Sequence, residues 1–556
     1  MTTALDAITL EVIRHGIASI TDQIDANVTR TAYSPYIYEY KDFAVGMTGP
    51  RGELVATSTG GIPLFVADSV GVAVRDGLQI HGVENMAQGD VFLCNHAAVL
   101  GQHLNNVVMY TPIFATAGQP IGFFAINVHW VDIGGRVIGS LSRDSTDIFM
   151  EGIQLRSVRL FKAGEPVDDV YRIIRDNTRF PAALMGDIEA QLAGCMLGRE
   201  LVTRLADRYG VSVYLEAIAK ILDQSERASR KKIAAIPDGT YGAEAFLDDD
   251  GAGQVPIKMR VIVDGSEMTV DFSEIAEQQK GSSNSGPHGG GITSARIAFK
   301  YLVASDESAN EGTFRPLKVV LPAGKLVSAA PTAAMGFYSL PLPTVIDTII
   351  KAFEFALPGS VTAGHFGAFS VVRFSGRRPN GDFFQSFDSG HGGWGAGATF
   401  DGSGPFRTMV HGDTRIIPVE LQEGEFPYLV EELGLREDSA GAGRFRGGLG
   451  FRKRFRIVTA CMLSVDFDRT ACLPWGVHGG HPGTSGRVVV SSNGKETLLT
   501  KVDNYPLMAG DVVSVETGGG GGYGSPADRS PTLIERDLRR GYITADSARR
   551  DYGFSL

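Results

Sequence analysis

NHAAVLGQHLNNVVMYTPIFATAGQPIGFFAINVHWVDIGG, residues 95–135, holds two apolar runs, VVMYTPIF and IGFFAINVH, joined by the Gly- and Pro-bearing turn ATAGQP. Strand, turn and returning strand make a hairpin, which predicts that the chain near residue 103 meets the chain near residue 129. The same window carries His96, His103, Asn106, His129 and Asp132. Imidazoles with oxygen donors and open positions are the pattern of catalytic Zn, Mn or Fe sites, where the ion polarises a carbonyl or activates water. The alternative is a set of buried histidines hydrogen-bonded to the backbone.

Upstream, Ile13, Ile17, Ile20, Ile24 and Val28 recur at three- and four-residue steps, the face of one amphipathic helix. From about Tyr36 short apolar runs broken by Gly and Pro, KDFAVGMTGPRGELVATS and GDVFLCN, read as strands, with TGPRGE a hairpin connection. Downstream, about 182–235 has helical periodicity and a basic end, RASRKK, and predicts two or three helices. Beyond residue 236 strands return (AEAFLDDDG, IKMRVIVDG, EMTVDFS), with helical segments at ITSARIAFKYLV and PTVIDTIIKAFEFAL. From Pro531 two short charged helices are expected, Thr544 capping the second, docked on a partner or on the body. The expected fold is α+β: two large mixed lobes rich in short β-strands, a helical segment between them and a short helical C-terminal tail. The expected divisions are 1–235, 236–524 and 525–556.

Composition removes several classes. The 556-residue chain has a formal charge of −11 with both signs interspersed, which argues against a nucleic-acid surface. Its four cysteines, Cys94, Cys195, Cys461 and Cys472, show no C-x-x-C spacing, so neither a zinc finger nor a disulfide scaffold is expected. The start MTTALDAITLEV lacks the basic and apolar regions of a signal peptide, and no apolar run is long enough to span a bilayer. A cytoplasmic, non-membrane protein is the expectation. Glycine numbers 70, about one residue in eight, gathered in GPHGGG, SGHGGWGAG, GAGRFRGGLG and GGGGGYG, where it joins strands or admits close backbone approach.

The runs TLEVIRHGIASITDQIDANVTRTAYSPYIYEYKDFAVGMTGPRGELVA, NH…GQHLNNVVMYTPIF, HWVDIGG, GDIEAQLAG, DSAGAGRFRGGLG and GGGGGYGSP…ARRDYG, in that order, resemble the hydantoinase B/oxoprolinase family. That family includes B-type subunits of ATP-dependent hydantoinases and caprolactamase, part of 5-oxoprolinase, and subunits of acetone and acetophenone carboxylases. The resemblance implies a hetero-oligomer with two or more copies, in which a hydantoinase A-type subunit uses ATP to phosphorylate a carbonyl oxygen. The B-type chain then completes ring opening of a cyclic amide, or, in the alternative, carboxylation of a ketone; a non-catalytic scaffold is the third reading. Consistent with ATP on the partner, the chain has no G-x-x-x-x-G-K-[ST], and its GGGGGYG at 518–524 lacks a following lysine and reads as a structural turn.

By the same resemblance a divalent metal (Mn, Zn or Fe) falls to His103, Asn106 and His129. Asn106 stands where relatives carry Asp, and a neutral amide binds a cation less strongly than a carboxylate. Asp132 or His96 would then complete the site. Phe65 stands where hydrolase-type relatives tend to have His. Asp42, in YKDFAVG, matches a family run and would orient a ligand or water; the expected catalytic set is Asp42, His96 and Asp132. Asp187 and Gln191 share a helix face, either lining a cleft or solvated. Asp388, His391 and Trp394 sit in a glycine-rich loop, either at the surface or against a ligand. Cys94 beside His96 suggests a thiol–imidazole pair, although strand neighbours point to opposite faces.

Overall fold

The structure, a computed structural model, describes residues 5–248, 253–367 and 369–555. Its centre is a seven-stranded sheet in the order β2-β1-β5-β4-β3-β6-β7, formed by β1 (Phe43–Thr48), β2 (Leu54–Thr57), β3 (Val91–Cys94), β4 (Asn106–Phe114), β5 (Pro120–His129), β6 (Val158–Lys162) and β7 (Glu165–Pro166). β4 and β5 are the expected hairpin, in antiparallel register from Phe114↔Pro120 to Asn106↔His129. They read as continuous apolar runs because both faces are covered. Val107, Met109, Ile126 and Val128 join the core built with Ile13, Ile17 and Ile24 of the helix Ala7–Thr31 and with Ile188 and Leu192 of Pro181–Tyr209. Val108, Tyr110 and Ala125 face the helix Ser69–His81 through Val70, Ala73 and Val74.

The helical stretch is two helices, Pro181–Tyr209 and Val211–Ile233. Asp187 and Gln191 are buried rather than solvated. Asp187 Oδ1 accepts the N–H groups of Tyr33 (2.8 Å) and Ser34 (2.9 Å), ending the first helix's connection. Gln191 donates to the carbonyls of Val107 (3.0 Å) and Ile126 (2.8 Å), fastening its helix to the hairpin. Beyond lie two four-stranded sheets and one five-stranded sheet. One core cluster runs from Leu10 to Ile417, and a second, from Val372 to Val515, fills the space between the last two sheets.

The run Gly518–Gly522, expected as a structural turn, is interior: all five residues are buried. Successive N–H groups bond three different neighbours: Gly520 to Gly448 O (3.0 Å), Gly521 to Gly364 O (2.8 Å) and Gly522 to His481 O (2.9 Å). Donors pointing three ways suit a threefold bundle of chains, not a flat sheet. A Cβ at Gly519, Gly520, Gly521 or Gly522 would lie 2.0–2.1 Å from the carbonyl oxygens of Ser439, Trp394, Trp475 and Ala442 respectively. Much of the glycine excess is therefore a packing requirement, because backbone occupies the place of side chains. The tail helices, Pro531–Arg539 and Ala545–Tyr552, dock on the body: Asp537 pairs with Arg446 and Arg529, and Thr544 accepts from Ser547 N–H as the expected cap.

Candidate functional site

In the sheet order β1-β5-β4, Asp42, His129 and Asn106 stand side by side. His129 pairs with Asn106 across the hairpin and donates its N–H to Asp42 O (3.1 Å) on the other side. Residues opposite one another on neighbouring strands share a face, so all three point away from the core of the first helix. The hairpin continues past its last strand pair, since Trp130 N–H donates to Asn105 O (2.8 Å) and the Asn105 amide donates back to Trp130 O (2.7 Å). His103 arrives from the short helix Ala97–Leu100, which ends at Gly101 with φ 65°. A Cβ on Gly101 would lie 2.7 Å from Gly286 Cα, so glycine permits both the turn and the close approach.

The hydrogen-bond directions around these side chains fix one another. Gln102 Nε2 donates to Ser69 Oγ (2.7 Å) and Leu64 O (3.3 Å), leaving Gln102 Oε1 as an acceptor. Asn106 Nδ2 donates to that oxygen (3.0 Å) and to Tyr338 Oη (2.8 Å), which turns Asn106 Oδ1 toward the histidines. His103 Nδ1–H donates to Gly336 O (3.1 Å), so in the neutral ring Nε2 carries no proton. That nitrogen lies 2.8 Å from Asn106 Oδ1, and His129 Nδ1 lies 3.2 Å from both. Two acceptors thus face each other with at most the His129 proton to share, an arrangement that a cation would satisfy.

Electrostatics favours neutral imidazoles here. Burial lowers His103 to about 4, against hydrogen bonds with Gly336 and Asn106, and lowers His129 well below the ordinary imidazole range with help from His103. Neutral rings are the form that binds metal. Burial pushes the Asp42 carboxyl up to about 7 against the pull of Arg407. No group of three or more His, Cys, Asp or Glu able to hold a metal occurs among the described residues. The donor set is two imidazoles and an amide, and its charge would have to come from Asp42, which lines the same cavity. The trio fits a divalent ion by its converging lone pairs, with less charge than a carboxylate at position 106 would bring.

The cavity, about 20 Å³, has room for an ion or a water molecule. Ile62, Leu64, Phe65, Tyr338, Ser339, Phe369, Phe387 and His411 complete its wall. A larger hollow of about 350 Å³ lies away from it, against Arg14, His15 and Asn310, with no comparable cluster of ligating groups. The structure brings His103, Asn106, His129 and Asp42 together and leaves Asp132 and His96 elsewhere. Asp132 Oδ1 accepts from Ser140 Oγ (2.8 Å), Gly139 N (3.1 Å) and Arg179 Nη1 (2.7 Å), and Oδ2 from Arg179 N (2.7 Å). The chain turns after Trp130, so Asp132 organises the next loop. His96 caps the helix Ala97–Leu100, its Nδ1 accepting Ala98 N–H at 3.2 Å.

Cys94 is buried, its thiol pushed up to about 11 by desolvation, so it is no thiolate near neutrality. The Gly-rich loop is interior: Trp394 Nε1 donates to Arg407 O (2.6 Å), and Lys453 pairs with Asp388. Sequence reasoning missed His411, whose Nδ1 lies 2.7 Å from Thr408 Oγ1 and whose ring stacks on Phe369 at 4.5 Å. It also missed Tyr338 and Phe387. His411 and Tyr338 come from loops and Phe387 from the strand Phe383–Ser389, all more than 200 residues beyond the hairpin, and no spacing rule ties them to it.

Residues 6–526 match the family described as hydantoinase B/oxoprolinase. The chain is 30% identical to the B component of a putative D-/L-hydantoinase of Pseudomonas sp. (strain NS671), over 99% of this chain and 95% of that one. It is 29% identical to the beta chain of the caprolactamase of Pseudomonas jessenii, covering 99% and 96% of the two chains. The crystal structure of the ATP-dependent caprolactamase of that organism superposes with a TM-score of 0.90, covering 100% of this chain and 97% of that one at 27% identity. A nucleotide-free acetone carboxylase shares the fold, with a TM-score of 0.89 at 18% identity over 99% of this chain and 79% of that one. No helix among the described residues is long and apolar enough to cross a membrane. The chain belongs to the hydantoinase B/oxoprolinase family.

Proposed function

We propose that this chain is the B-type component of an ATP-dependent amidohydrolase that opens a cyclic amide such as a hydantoin, oxoproline or lactam. The ring carbonyl would be phosphorylated by an A-type partner that binds ATP. The observation that carries the reading is the convergence of His103 Nε2, Asn106 Oδ1 and His129 Nδ1, short of protons, beside Asp42. His103, Asn106 and His129 would hold a divalent ion, with Asp42 supplying the charge. Such an ion, when bound, polarises a carbonyl and acidifies water.

The remaining chemistry belongs to the chain. The Asp42 carboxyl, which burial raises in the metal-free chain, lines the cavity where it could accept a proton from an attacking water. Arg407, almost fully buried, keeps that carboxyl from rising further. Phe65, Phe369 and Phe387 exclude bulk water, and the cavity of about 20 Å³ is too small for a five-membered ring, so ring entry requires this aromatic wall to move. Resonance makes the unactivated ring amide resist hydrolysis, which accounts for coupling to ATP.

The test is the purified chain with its A-type partner, ATP, and hydantoin, 5-oxoproline or caprolactam in turn. Ring opening with stoichiometric ADP, abolished in His103→Ala, is the expected result. ATP turnover that requires a ketone and bicarbonate would select carboxylation instead. A complex that contains no divalent ion and opens no ring would leave the scaffold reading.

A further inference from the structure

We infer that Glu151 is a positioning residue for His103, acting through the peptide of Gly336. This rests on the proposed function only in taking His103 as a ligand of the converging trio. Glu151 is 1% exposed, and no cation pairs with it among the described residues. Its Oε1 accepts two consecutive main-chain donors, Met335 N–H (2.8 Å) and Gly336 N–H (2.7 Å), while Oε2 is buried without a hydrogen-bond partner. A lone carboxyl in such a place is costly, so what it secures is informative.

What it secures is the residue whose carbonyl reads the His103 proton. Gly336 gives its N–H to Glu151 and accepts His103 Nδ1–H on its oxygen at 3.1 Å. Two residues on, Tyr338 accepts from Asn106 Nδ2 (2.8 Å) and meets the His103 ring edge-on, centroids 4.8 Å apart. Clamping 335–336 therefore sets the partners of two members of the trio at once. It holds His103 as the Nδ1–H tautomer, with Nε2 bare toward Asn106 and His129. Outer partners that fix a ligating imidazole in this way commonly change metal affinity 10–100-fold when lost. The clamp also crosses the chain, since Glu151 follows the hairpin closely while 335–338 lies far downstream.

The experiment compares wild type, E151L and E151Q as folded, metal-free protein, reading the ring nitrogens of His103 by 15N NMR of histidine-labelled chain and then titrating with Zn2+. Wild type is expected to show the Nδ1–H tautomer. E151L should show a mixture of tautomers and Zn2+ affinity weaker by roughly 10–100-fold. E151Q should recover both, because its amide oxygen can accept the same two N–H groups. If E151L does not fold, E151D, which withdraws the acceptor by one methylene, is read in the same way, with a smaller shift. A pure Nδ1–H tautomer in folded E151L or E151D, or an E151Q as impaired as E151L, overturns the inference. Should wild type bind no Zn2+ while the tautomer responds to Glu151, the metal reading fails and the positioning role stands. Tight Zn2+ binding with a tautomer indifferent to Glu151 gives the converse.

Discussion

The polar pocket at the end of the hairpin and the glycine bundle around Gly518–Gly522 are both buried, and opposite devices fill them. In the pocket, side chains converge with more acceptors than protons, and His103, Asn106 and His129 lie 2.8–3.2 Å apart without satisfying one another. In the bundle the central run carries no side chains, and the N–H groups of Gly520, Gly521 and Gly522 find backbone acceptors at 2.8–3.0 Å. The first region carries unspent binding capacity, which is what a ligand site needs and what a core avoids. The second is satisfied and close-packed, so it has nothing left to offer a ligand. Changes in the bundle should therefore cost fold, and changes in the pocket should cost function.

Gly520→Val tests that contrast most severely. The first added carbon meets Trp394 O at 2.1 Å, and the obstacle is backbone, which cannot rotate aside. Loss of soluble folded protein on expression is the expected outcome, and a variant melting like wild type would show the bundle to be loose. Next comes Asp132→Ala. Asp132 is fully buried and ion-paired to Arg179 at 2.7 Å, so its removal should lower stability by about 3 kcal/mol in denaturant unfolding. If it abolished ion binding at unchanged stability, Asp132 would belong with the pocket after all.

His103→Ala is the counterpart inside the pocket. It removes one hydrogen bond, to Gly336 O, together with an acceptor facing an acceptor, so a stability loss of about 1 kcal/mol is expected. Divalent-ion content measured on the purified protein should nonetheless fall to background. A large drop in melting temperature would make the imidazole a structural group and erase the contrast.

The smallest net effect is in pH, because two buried groups titrate in opposite senses. Asp42 titrates near 7 when folded, against an ordinary carboxylate value of 3.8, so between these limits the folded chain holds the extra proton. Its contribution is present below about pH 4 and is lost as pH rises through 7. His103, lowered from 6.5 to about 4, runs the other way: the unfolded chain holds the extra proton, and stability rises from pH 4 to 6.5. Melting temperatures of metal-free Asp42→Asn should therefore rise more steeply than wild type between about pH 4 and 7, and a profile identical to wild type would show that Asp42 does not titrate there.

Much of the site was legible in the residues themselves. Two continuous apolar runs around ATAGQP required a hairpin, and a hairpin brings its ends together, so the approach of 103 and 129 follows from local pattern. The orientation of Asp132 was not legible. It lies three residues past His129, but the chain leaves the strand at Trp130 and an arginine 47 residues away claims the carboxylate. His411, Tyr338 and Glu151 were illegible for a related reason: each acts through contacts with segments remote in sequence.

The hairpin, the amphipathic helices and the residue types available for chemistry follow from residue order alone, because they rest on periodicity and local spacing, and the ordered motif runs carry the resemblance to the family. The folded chain was needed to say which carboxylate faces the histidines, which way the amide of Asn106 turns, and that the pentaglycine run is interior. Those outcomes depend on which distant groups supply or withhold a hydrogen bond, and chain order does not encode that in any local pattern.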